Sequence, residues 1–250
     1  MALHQQKTHK IAQSLNSIDL CKISSNLYFS ITVPYIKPCK WDDSTCLKAS
    51  AQAAIPVITA GIPELGVASS DPMVVEKMST NNAGLNLDLS KITITGLSQC
   101  KVGKVSRDLD RSTIVLSMRC PVTLDSHYNV SGTLVIIPIE GTGEFGFTAE
   151  NVKLKLEAKI EEETGADGKN HWKIASYKHS YEPDKVLIRI TNLFGGDEKT
   201  AAPVLDFINQ QWRVFIQSVG KPFVDEFVQL MVDNVNKWMA AVPTEELEVV

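Results

Sequence analysis

The sequence predicts an α+β fold in which one long C-terminal helix is wrapped by a curved antiparallel sheet of long strands, with a short helix ahead of the sheet. Three observations predict it. Apolar residues recur every three or four positions from Pro203 to Ala240, which keeps them on one helix face. Strand-type patterning runs almost continuously from the Ser70-Asp71-Pro72 turn to about residue 191. A shorter helical period over Leu47–Ile58 precedes both. Helix, many strands, helix is a layout that places helices against one face of a sheet.

In chain order, Met1–Lys10 is basic and polar, as the start of an export signal would be. The apolar run that should follow is broken by Gln13, Ser14, Asn16, Ser17 and Asp19. Residues 1–35 are therefore set apart as a leader, either a retained disordered segment or a degraded signal that is removed. Residues 36–250 read as a single domain, with no repeat and no linker. Of the five cysteines, Cys21 falls in the leader, and Cys39, Cys46, Cys100 and Cys120 remain. An even number suits an exported, disulfide-bonded chain.

Asp42 or Asp43 can cap the first helix, and Leu47, Ala51, Ala54, Ile55 and Ile58 give it an apolar face. Pro56 should bend it and Gly61 should end it. A Cys39–Cys46 bridge would tie the incoming chain to the first turn, worth about 2.5 kcal/mol on the chain-entropy account. Two free thiols in a cytosolic protein read equally well.

Leu85, Leu87 and Leu89 alternate with polar residues, and Ile92 and Ile94 continue one position out of phase, so a bulge is expected near Ser90-Lys91. Val102 and Val105, then Ile114, Leu116 and Met118, flank a polar turn centred on Asp110. That hairpin sets Cys100 opposite Cys120, where a disulfide or a buried pair of free thiols fits. Val122–Ile139 reads as one long strand region with Pro121 and Pro138 near its ends. Asn129-Val130-Ser131 matches the N-glycosylation pattern, so Asn129 is a glycan site if the protein is exported. Val152, Leu154, Leu156, Ala158 and Ile160 alternate with charged residues, one face core and one face water. Trp172, Ile174 and Tyr177, then Val186, Ile188 and Ile190, complete the strands.

The C-terminal stripe is Val204, Ile208, Trp212, Phe215, Val219, Phe223, Phe227, Met231, Val235 and Trp238. Pro203 suits a first-turn position, and the rod would be roughly 55 Å long. Gly220 and Pro222 predict a kink; the alternative is two helices meeting at Lys221. Burying each bulky side chain of the stripe contributes roughly 1.5–3 kcal/mol, and only a wide sheet could cover it.

Little in the sequence points to chemistry. Gly141-Thr142-Gly143-Glu144-Phe145-Gly146 matches a dinucleotide fingerprint by letter, but strand-type alternation follows it where a helix is needed. His4, His9, His127, His171 and His179 form no ligand-spaced set, and no nucleophile has a visible base. No metal, no cofactor and no catalytic residue is expected. A net charge of −4 argues against nucleic acid as a partner. No apolar run reaches membrane-spanning length, so no transmembrane segment is expected. What remains is an apolar surplus between helix and sheet, either a filled core or an elongated cavity suited to a linear lipid-like molecule.

Three stretches together resemble the insect takeout and haemolymph juvenile hormone-binding protein family. They are Pro38–Cys46 with Gly61-Ile62-Pro63-Glu64-Leu65-Gly66 and Asp71-Pro72; Gly141–Leu156; and Asn192-Leu193-Phe194-Gly195-Gly196-Asp197 through to Val242-Pro243. The resemblance implies a long helix wrapped by a curved sheet around an internal hydrophobic tunnel. It implies a secreted carrier of a juvenile hormone-like terpenoid, a fatty acid or a similar lipid, acting as a monomer, and not an enzyme. Some members are linked to circadian and feeding behaviour. By analogy Cys39 and Cys46 form the family's N-terminal disulfide. No cysteine follows Cys120, whereas the hormone binders carry a second disulfide nearer the C-terminus, so the chain is more similar to the takeout branch. Trp212, Phe215, Val219, Phe223, Phe227 and Met231 are the expected ligand-binding residues. The alternative is a non-carrier whose core is filled and whose surface binds a receptor or another protein.

Overall fold

Two very long strands carry the sheet. The computed structural model describes residues 34–82, 84–134 and 136–249, so the leader lies outside the described residues apart from Pro34 and Tyr35. Strand β4 (Thr113–Leu134) pairs antiparallel with β5 (Ile137–Thr164) along its whole length. Each has a second edge shared by two shorter strands. On β4 these are β2 (Leu85–Thr95) and β3 (Lys101–Asp108); on β5 they are β6 (Asn170–Glu182) and β7 (Lys185–Ile190). β1 (Met73–Asn82) extends the sheet beyond β2. Strands this long must twist, and bulges assist them. The register slips between Ser90 and Thr93, where Lys91 takes φ 51°, and between Cys120 and Val122.

The second slip corrects the expected Val122–Ile139 strand. β4 passes through Pro121, because the bulge there spares the ring a ladder bond. The chain then reverses after Leu134, with Thr133 opposite Pro138. The glycine-rich letters of the rejected dinucleotide motif lie inside β5. A Cβ on Gly141 would sit 2.7 Å from the Tyr128 hydroxyl, which donates to the Thr191 carbonyl at 2.8 Å. Burial pushes that phenol up to about 12. The glycine makes room for a core tyrosine.

Helix α1 (Ser44–Ala60) starts under the Asp43 carboxylate, which accepts from Cys46 N at 2.9 Å, and stops at Gly61, φ 87°. Cys39 and Cys46 are joined, so the chain entering α1 is bound to its first turn. Cys100 and Cys120 are also joined. Cys100 ends the 3₁₀ turn Leu97–Gln99, just outside β3, and so is not held to the geometry of a directly paired strand position.

The C-terminal rod is built in pieces. It comprises α2 (Glu198–Gln210), α3 (Trp212–Phe215), a π-turn over Ile216–Gly220 and α4 (Lys221–Ala241). Two expectations are corrected. Pro203 lies inside α2 and not in its first turn, because Asp197 caps the helix earlier by accepting from Lys199 N at 3.2 Å and from the Thr200 hydroxyl at 2.7 Å. The irregularity precedes Pro222 instead of centring on it: Gln211 leaves helical geometry and the π-turn follows. Pro222 opens α4 and offers no N–H to the Ser218 carbonyl; Asn82 Nδ2 donates to that carbonyl at 2.7 Å. The predicted apolar stripe is buried or half-buried throughout, and Ile216, Val232 and Met239 widen it.

Helix and sheet are fastened where the sheet has free edges. Asn209 accepts from Ile188 N at 2.8 Å and donates to Ile188 O at 2.9 Å. Asn236 makes the same pair with Ile174, at 2.8 and 3.3 Å. Gln52 of α1 accepts from Val102 N at 2.8 Å and donates to Cys100 O at 3.1 Å. β7, β6 and β3 each pair on one side only, so these amides take the place of a missing neighbouring strand. Asn234 grips Ala68 in the same way, at 3.2 and 3.1 Å.

Candidate functional site

Between the rod and the sheet lie two cavities. The first has a volume of about 210 Å³. Its helix wall is Phe215, Val219, Phe223, Phe227 and Met231, and inward-facing residues of β2, β4 and β5 such as Leu89, Leu124 and Phe145 close the other side. The second, about 380 Å³, lies under α1, between β3, β4, β5 and β6 and the C-terminal half of α4. Leu97, Leu154, Val228 and Met231 belong to both walls, so the two cavities abut there.

Of the six expected ligand-binding residues, the structure brings five to the first cavity. Trp212 is the exception. It packs half-buried against the core, with the Arg213 guanidinium 4.2 Å over its ring. It opens α3 one turn before Phe215, the first helix residue of the cavity wall. Asn129 lies on an exposed position of β4, where its Oδ1 accepts from the Thr142 hydroxyl at 3.2 Å.

The first cavity is apolar on every side save for Tyr181, whose phenol burial raises, with Asp225 adding to the effect. Such a space offers water too few partners and suits hydrocarbon. The second cavity has a polar end. Arg107 enters from β3 and lies 5.3 Å over the Trp172 ring, with its Nε 3.9 Å from Glu248 Oε2. Burial raises the Glu248 carboxyl; Arg107 opposes that rise and Glu162 adds to it. Glu248 is held in place by main-chain bonds between Cys39 and both Leu247 and Val249. The sequence reading missed this end, because Arg107 stands in a stretch that reads as a polar turn.

Among the described residues no group of His, Cys, Asp and Glu could hold a metal ion. His171 is a structural residue: its Nδ1 lies 3.3 Å from Met239 O and its Nε2 3.0 Å from Asp167. No helix among the described residues is long and apolar enough to cross a membrane.

The geometry has relatives. A crystal structure of Takeout 1 from Epiphyas postvittana superposes with a TM-score of 0.82 at 27% identity, covering 86% of this chain and 100% of that one. The circadian clock-controlled protein daywake of Drosophila melanogaster is 25% identical over 223 residues, 84% of this chain and 86% of that protein. A putative beta-carotene-binding protein of Schistocerca gregaria is 24% identical over 212 residues, 84% of this chain and 80% of that protein. The sequence profile of the haemolymph juvenile hormone binding protein family matches residues 20–248. A match over nearly the whole chain, on a fold that wraps a sheet around an aromatic helix, places this protein in that family of binding proteins, not among enzymes.

Proposed function

We propose that the protein is a secreted carrier of a small hydrophobic molecule, a juvenile hormone-like terpenoid, a fatty acid or a similar lipid. The molecule lies in a tunnel that the two cavities form together along the helix. The observation that carries this reading is the pair of abutting cavities, the first beneath Phe215, Val219, Phe223, Phe227 and Met231 and the second under α1, with Met231 in both walls. Each methylene withdrawn from water contributes about 0.8 kcal/mol, so a chain of a dozen carbons supplies on the order of 10 kcal/mol. The carrier acts as a monomer and needs no cofactor. Two disulfides, the Asn129 sequon and the haemolymph family support export. The relative described as a putative beta-carotene-binding protein supports an elongated apolar cargo. The alternative, a filled core with a receptor-binding surface, fits poorly with so much unfilled apolar space.

The test is native mass spectrometry of protein exported from insect cells, followed by organic extraction and uptake of N-phenyl-1-naphthylamine. A released apolar molecule and saturable dye binding are expected. Folded protein that carries nothing and takes up no dye would overturn the carrier.

A further inference from the structure

The donors at the polar end of the second cavity lack acceptors. Arg107 Nε, Arg107 Nη1 and Trp172 Nε1 are buried, and none has a hydrogen-bond partner among the described residues. The Arg107 side chain is only 9% exposed. Glu248 is close enough to balance its charge, but 3.9 Å is too long for a hydrogen bond. Buried N–H groups without an acceptor are costly and uncommon, and three of them on two touching side chains in one cavity call for a common explanation. Core packing alone does not supply one, since a methionine and a phenylalanine would fill the same space without the cost. All three groups are donors, so the complement must bring lone pairs. The guanidinium also already faces one carboxylate, Glu248, with a second, Glu162, near enough to act on Glu248. A further carboxylate would leave an uncompensated negative charge in apolar surroundings.

We infer that Arg107 and Trp172 form a head-group site for an uncharged oxygen acceptor, a ketone or ester, at one end of an otherwise apolar molecule whose tail runs past Met231 into the first cavity. This rests on the carrier reading and adds polarity and direction to it.

The test compares 2-dodecanone, dodecane and dodecanoate as competitors of N-phenyl-1-naphthylamine on the delipidated, disulfide-bonded protein. The ketone should displace dye at least about tenfold better than dodecane, as expected for a hydrogen bond from a charged donor, and dodecanoate should not exceed it. Trp172→Phe keeps the ring and removes one donor. Arg107→Met with Glu248→Gln removes the others without changing net charge. Both should shrink the ketone's advantage over dodecane, measured as the ratio of the two in each variant. Equal displacement by ketone and dodecane with dye still bound would overturn the head-group site and leave the carrier standing. An Arg107-dependent preference for dodecanoate would overturn the uncharged class. Failure of folded protein to bind dye at all would instead bring down the carrier reading.

Discussion

Asn209→Leu should destabilise the protein far more than a half-buried polar residue on a helix would suggest. The substitution keeps the number and branching of side-chain heavy atoms and improves helix propensity. It removes two bonds to one strand residue, at 2.8 and 2.9 Å. Ile188 is 1% exposed, so its N–H and C=O cannot turn to solvent on the open edge of β7. Each lost bond costs about 1 kcal/mol net, and a buried backbone group left unpaired adds its desolvation, which brings the expected loss to about 2–4 kcal/mol. Urea unfolding followed by tryptophan fluorescence should show a lower midpoint at an unchanged slope. Hydrogen exchange should show the Ile188 amide losing protection. A loss below about 0.5 kcal/mol with that amide still protected would refute the idea that side-chain amides stand in for missing strands.

Three further outcomes are expected. Met231→Trp, at the wall common to both cavities, should lower uptake of a sixteen-carbon ester at least about tenfold while the protein still binds the shorter naphthylamine dye; unchanged ester binding would separate the cavities from the cargo path. Asp71 is held below the ordinary carboxylate range: burial acts to raise it, but bonds from Ser98 and Gly96 outweigh that effect. A lowered folded value contributes stability above the unfolded value and loses it as pH falls through the folded one, so wild type should lose more stability than Asp71→Asn as the pH is lowered from about 5 to 3 in a urea titration series. Exported protein should lose mass on treatment with peptide N-glycosidase F, an effect absent from Asn129→Gln, and should weigh four hydrogens less before reduction than after.

Local periodicity made most of the fold legible. The stripe from Val204 to Trp238 and the alternation from Val152 to Ile160 are written in neighbouring residues, and both bury as their periods require. Elements that depend on distant partners were not legible. The reversal after Leu134 has no glycine or asparagine to announce it, since Val135-Ile136-Ile137 reads as more strand. The π-turn depends on Asn82, far away on β1, to satisfy Ser218. The amides of Gln52, Asn209 and Asn236 look like ordinary solvated helix residues until the strand edges beside them are known. The same limit applied to the site. Phe215 to Met231 could be placed on one helix face, but how far along that face the cavity runs could not, so Trp212 falls outside the lining, and Arg107 could not be matched with Trp172 across the sheet.

The unfilled space needs a physical reason. At about 24 cal/mol per Å³, dry cavities of 210 and 380 Å³ would cost about 5 and about 9 kcal/mol. That sum rivals the whole folding free energy of an ordinary domain. A rod free to settle would sink into the sheet and recover it. The rod is held by its edges instead: Asn209 on β7, Asn236 on β6 and Asn234 on the Ala68 segment fix its height at three places, and the Cys39–Cys46 bridge with Gln52 fixes α1 over the remaining side. Directional bonds at the rim thus oppose collapse at the centre. The proposed hydrocarbon cargo would resolve the conflict, since it would return the dispersion and burial the walls lack without breaking a rim contact. Under the proposed carrier reading the polar clamps are therefore as much a part of the binding device as the aromatic lining, and cargo and stability are coupled.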